Sequence, residues 1–133
     1  MKIALDEANK AFEQDEAQIG AVLVLDGRII AKAHNEPITL CDPSAHAELA
    51  ALRKACQTIG NYRLTGAQLY VTLEPCAMCA GGILQARLER LIFGARDPKS
   101  GAVVSLYQLL NDQRLNHQVK ITPDVLQTEC GEI

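Results

Sequence analysis

At 133 residues the chain is long enough for one domain with one core. Apolar residues make up 48% and aromatics only 4%, so alanine, leucine, isoleucine and valine must fill that core, and no apolar run approaches a membrane span. The formal net charge of −3 counts against a large electrostatic footprint on nucleic acid, and the N-terminus lacks the basic-then-apolar layout of a secretory signal.

Met1 to about Asp15 carries apolar residues at Ile3, Leu5, Ala8, Ala11 and Phe12, a helical spacing. Ile19 to Leu25 reads as a buried strand, Asp26-Gly27 as a two-residue hairpin turn, and Arg28 to His34 as the returning strand. Asn35 to Pro43 reads as a loop punctuated by Pro37 and Pro43. Ser44 is a suitable N-cap for a helix with Ala47 and Glu48 in its first turn, ending near Ile59 at Gly60. Ala67 to Leu73 is a third strand, stopped by Glu74-Pro75, and Cys76 to Arg87 a helix despite Gly81-Gly82. Leu91 to Gly94 follows as a strand, Ala95 to Val103 as a loop, Ser105 to Leu110 as a short helix and Val119 to Thr122 as a fifth strand. Single strands alternating with helices pair in parallel through right-handed crossovers. The fold class that follows is α/β, a three-layer α/β/α sandwich around a mixed five-stranded sheet, with no repeat or internal linker.

Three short segments carry chemistry. His46-Ala47-Glu48, Glu74-Pro75-Cys76 and Cys79 supply one imidazole, two thiols and two carboxylates. One histidine and two cysteines are three zinc-preferring ligands with a fourth position open, whereas structural zinc is closed by four protein ligands. Cys76 and Cys79 lie one helical turn apart, so both sulfurs fall on one side. Helix N-termini favour thiolate, the metal-binding form. Zinc can lower the pKa of a bound water from about 16 toward about 7, and Glu48 is placed to move that water's protons as catalytic acid and base. Cys-x-x-Cys alone is equally a redox or structural motif, and His-x-Glu alone carries nothing. Five cysteines that include a Cys-x-x-Cys beside a His-x-Glu read as metal chemistry in a reducing compartment and not as a disulfide framework, with the cytoplasm as the default. Cys41, Cys56 and Cys130 read as small packing or surface residues, and His34 and His117 as surface or supporting ones. Asn35 is equally a turn former or a group facing the site. Arg87, Arg90, Arg96 and Lys99 read on charge alone as a solvated face.

The pattern His46-x-Glu48 with Pro75-Cys76-x-x-Cys79 is a zinc-deaminase signature. With it, the chain resembles the bacterial tRNA-specific adenosine deaminases of the cytidine-deaminase superfamily, from about Lys2 to Cys130. Asn61-Tyr62-Arg63-Leu64, Leu69 to Cys76, Met78-Cys79-Ala80-Gly81, Phe93-Gly94-Ala95-Arg96-Asp97, Lys99-Ser100-Gly101-Ala102 and Asn116-His117 carry the resemblance. It implies a cytidine-deaminase-like fold and one zinc per subunit on His46, Cys76 and Cys79, with Glu48 as proton shuttle. Asn35 would hydrogen-bond the flipped base, and Gly20, Ala21 and Ala47 would line its pocket. Asp97 would contact the sugar-phosphate backbone, with Arg96 and Lys99 on the RNA-facing side. The implied reaction is hydrolytic deamination of the wobble adenosine in a tRNA anticodon stem-loop to inosine, by a cytoplasmic homodimer without membrane contact. Against that pattern, residues 1–133 read as a single deaminase domain lacking the start of the first helix and the C-terminal helix, with Gln18 for a common proline and His34 for a common tryptophan. Two other readings stand beside it. One is a deaminase of free guanine or cytosine, told apart by activity on the base and none on tRNA. The other is a non-catalytic zinc-binding subunit, told apart by copurification with a second deaminase-like chain.

Overall fold

The computed structural model describes residues 1–133. In chain order the elements are α1 (Lys2–Glu13), β1 (Gly20–Leu25), β2 (Arg28–His34), α2 (Pro37–Leu40), α3 (Ala47–Ile59), β3 (Gln68–Leu73), α4 (Ala77–Gln85), β4 (Arg90–Ala95), β5 (Lys120–Thr122) and α5 (Gln127–Gly131), with a 3-10 turn at Leu109–Asn111. The sheet order is β2-β1-β3-β4-β5. β1 runs antiparallel to β2 and β3, while β3, β4 and β5 are parallel. The mixed five-stranded sheet is therefore as expected.

The β1–β2 hairpin turns at Asp26 and Gly27, both with positive φ (52° and 74°). Two consecutive left-handed residues make the turn whose twist matches paired strands. Side chains alternate across β1. Gly20 faces α1, where an added Cβ would strike the backbone of Ala4 and Ala8. Ala21 and Leu23 instead join Ala47, Ala51, Leu52, Leu69, Val71 and Ile83 in the main core. α1 and α5 thus cover one face and α3 and α4 the other. In α4 a Cβ at Gly82 would run into the Leu49 side chain of α3, whereas one at Gly81 would meet open space.

Three local expectations need correction, and one short element has no assignment from sequence. The loop after β2 contains the short helix α2, for which Pro37 supplies the fixed φ of a first helical residue. Ser44 does not cap α3. The N-cap is His46, while Ser44 donates through N and Oγ to Asp42 at 2.8 and 2.7 Å. No helix forms over Ser105 to Leu110, only the 3-10 turn. Beyond β5 the chain adds α5, whose Cys130 is buried.

Candidate metal centre

His46 and Cys76 occupy equivalent places in the fold. Each is the extended N-cap residue of a helix on the same side of the sheet, His46 for α3 and Cys76 for α4, with Cys79 one turn into α4. His46 Nδ1 lies 3.7 Å from Cys76 Sγ and 3.5 Å from Cys79 Sγ. Tetrahedral zinc with ordinary Zn–S and Zn–N lengths holds its nitrogen and sulfur ligands about 3.6 Å apart. The three donors, all within 4.8 Å of one another, therefore fit such an ion as they stand. Cys79 and His46 come from segments 33 residues apart in sequence. The two helix starts bring them together.

Electrostatics agree with that use. The Cys79 thiol donates to Cys76 and outweighs burial, and with the Cys79 and Met78 amides and the nearby His46 it brings the Cys76 thiol down to about 5. The same hydrogen bond and burial push Cys79 upward. Metal binding needs both sulfurs as thiolates, so a cation here would displace the thiol proton that Cys79 holds. Glu48, in the first turn of α3, is 4% exposed, and burial pushes its pKa up to about 7. Its Oε2 is buried without a hydrogen-bond partner. Such orphaned oxygens are rare in folded chains and mark sites built for something else.

The other candidate residues are placed unevenly. Asn35 is buried just after β2, and its Oδ1 accepts the Ala47 amide at 2.7 Å, capping α3 from outside the helix. Ala47 and Ala21 are buried on the α3 side of the sheet. Gly20 is buried but packs against α1, on the opposite face. Arg96 is paired with Asp124 at 2.9 Å. The Asp97 carboxylate accepts from Lys99 N, Ser100 N and Ser100 Oγ at 3.0, 3.3 and 2.8 Å, closing its own turn. Lys99 is exposed.

Two carboxylates with structural roles escaped the sequence reading. Glu74, read there within the Glu74-Pro75-Cys76 segment but given no role of its own, accepts amides from Asp97, Val103, Val104 and Ser105 and the Ser105 hydroxyl. Burial opposes its charge, but these donors outweigh it and hold the carboxyl below its ordinary value. Glu16 accepts from Ile38 N and from Thr39 N and Oγ1, holding the start of α2. Neither has a sequence signature, since most of the donors are backbone amides.

The family model of MafB19-like deaminases matches residues 1–129. The tRNA-specific adenosine deaminase of Bacillus subtilis strain 168 is 51% identical over 98% of this chain and 81% of that protein. A solved structure from a study of tRNA:A34 deaminases superposes with a TM-score of 0.96 at 49% identity, covering 99% of this chain and 96% of that one. The guanine deaminase of Bacillus subtilis is 42% identical with a TM-score of 0.69, covering 71% of this chain and 61% of that one.

Proposed function

This chain belongs to the tRNA-specific adenosine deaminase family, and from that premise we propose that it hydrolytically deaminates the wobble adenosine of a tRNA anticodon to inosine. The observation that carries the catalytic part is the His46, Cys76 and Cys79 cluster with the unpartnered buried oxygen of Glu48 beside it. His46, Cys76 and Cys79 hold one zinc per subunit, and the 3.5 and 3.7 Å donor spacings support that assignment. Zinc, when bound, supplies a Lewis-acid position at which water is acidified toward neutral pH.

Glu48 takes the proton from the attacking water and returns protons to the adenine ring and the departing amine. Water adds at carbon 6, the exocyclic C–N bond breaks, and ammonia leaves. A carboxyl raised to about 7 suits both directions of transfer near neutral pH. Asn35 spends its Oδ1 on Ala47 and keeps its amide NH2 for a hydrogen bond to the flipped base; the Ala47 contact supports that role by fixing the side chain. Ala47 and Ala21, small and buried, leave room for the base. Gly20 serves the pocket only indirectly, by letting α1 seat against β1. Arg96, Lys99 and Asp97 lie on the RNA-facing rim. In this reading the chain is one deaminase domain, works as a homodimer and resides in the cytoplasm, and no helix is long and apolar enough to cross a membrane.

The test is deamination of a synthetic anticodon stem-loop bearing a wobble adenosine, run beside free adenine, guanine and cytosine. Inosine that disappears in Glu48→Ala is the expected result. Ammonia from guanine or cytosine with no inosine would move the protein to nucleobase chemistry.

A further inference from the structure

Glu74 ends the segment that leads from β3 into Pro75 and Cys76, and it is 2% exposed. All five of its donors come from residues 97–105. Oε1 accepts Asp97 N at 3.0 Å and the Ser105 hydroxyl. Oε2 accepts Val103 N, Val104 N and Ser105 N at 3.1, 2.8 and 2.9 Å. No donor is charged, so backbone dipoles and one hydroxyl satisfy the carboxylate. Gly101 lies so close that a Cβ there would collide with the Glu74 carboxylate. The wrap is pinned twice more, by Ala102 N donating to Pro75 O at 2.8 Å and Glu74 N donating to Ala95 O at 2.8 Å.

The topology gives this wrap a direction. β3 and β4 are parallel neighbours, with Leu73 opposite Ala95. From the same end of the sheet, β3 delivers Cys76 and β4 delivers the 97–105 loop. Ligands of open α/β sheets bind at the carboxyl ends of the strands. The inner side of the loop, Gly101 to Val103, is buried around Glu74, while Arg96, Lys99 and Ser100 are exposed on its outer side. Burying an ionised carboxylate is costly, and apolar side chains could fill the same space at lower cost. What a carboxylate adds is convergence: several amides aimed at two oxygens fix the backbone from Asp97 to Ser105 in one shape.

We propose that Glu74 is a positioning residue for the nucleic-acid substrate, holding the 97–105 loop against the Pro75–Cys76 turn so that its exposed rim meets the strand flanking the reacting base. The proposal rests on the tRNA reading above. Its signature is a change in substrate binding larger than any change in the chemical step, because Glu74 touches the loop and not the reacting atoms.

The experiment compares wild type, Glu74→Gln and Ser105→Ala in the zinc-loaded full chain. The glutamine keeps the shape but turns a donor toward amides that need an acceptor. Steady-state kinetics on the wobble-adenosine stem-loop are combined with zinc content and amide exchange at Asp97 and Val103 to Ser105. Expected for Glu74→Gln are a KM raised about tenfold or more, a much smaller fall in kcat, one zinc per chain, and faster exchange confined to the loop. Ser105→Ala, which removes one of the five bonds, should shift KM the same way by about two- to threefold, and decides the matter if Glu74→Gln does not fold. An unchanged KM, a fall mainly in kcat, or loss of zinc overturns the proposal while wild type remains active. A wild type that leaves the stem-loop unmodified overturns the substrate reading itself, and this proposal with it.

Discussion

Glu48 and Glu74 are both buried carboxylates, and their surroundings push them in opposite directions. Glu74 is saturated with five donors and stays ionised; Glu48 has a bare Oε2 and a pKa near 7. The contrast supports the roles proposed for them, Glu74 as a fixed charge and Glu48 as a proton carrier. Glu48→Gln preserves the volume and removes the exchangeable proton. It should lower kcat on the stem-loop by about 10²-fold or more while leaving one zinc per chain by atomic emission. A variant that loses its zinc would make Glu48 a ligand and remove it from proton transfer. Glu48 was legible because it stands two residues from His46 in a recognisable spacing. Glu74 was not, because its partners lie 23 to 31 residues downstream and four of the five are main-chain groups.

At the scale of elements, the long periodic segments were readable and the short connections were not. Strands β1 to β4 and helices α1, α3 and α4 follow from apolar periodicity and from turn residues such as Asp26-Gly27 and Gly60, whose φ of 76° ends α3. The misread pieces are those whose backbone donors go to distant acceptors. Val103, Val104 and Ser105 give their amides to Glu74 instead of starting a helical ladder, and Ala47 gives its amide to Asn35, so Ser44 is not needed as a cap. α2 is likewise held by Glu16, twenty-odd residues away. Gly20 shows the same lesson in packing. A methyl group there would meet Ala4 O and Ala8 N, which are backbone atoms that cannot rotate aside. Gly20→Ala should therefore destabilise the fold by about 1–3 kcal/mol through displacement of α1, read as a lower denaturant midpoint with an unchanged slope. If stability were unaffected and only KM for the stem-loop rose, Gly20 would be a pocket residue after all.

For the whole molecule, a metal ion held by His46, Cys76 and Cys79 would be a clasp between two helices of one layer. It joins the start of α3 to the start of α4, and between those points the chain passes through β3 at the centre of the sheet. Ligands that fold brings together from 33 residues apart are not preformed in the unfolded chain, so binding a metal ion favours the folded state. At free zinc about a thousandfold above its Kd the linkage is worth about 4 kcal/mol. For a domain of 133 residues that corresponds to roughly 10–20 °C in Tm. Chelation under reducing conditions should lower Tm by that order, and returning zinc should restore it. The core on the α3 side, from Leu23 to Phe93, is continuous without the metal, so the chelated chain should still melt cooperatively and at a lower temperature. Glu48→Gln should show the same zinc-dependent rise, since its side chain is not among the three donors. Equal Tm with and without chelator, while the chain still carries zinc before treatment, would mean that the ion sits on the surface and not between α3 and α4. The assignment of His46, Cys76 and Cys79 would then fail with it.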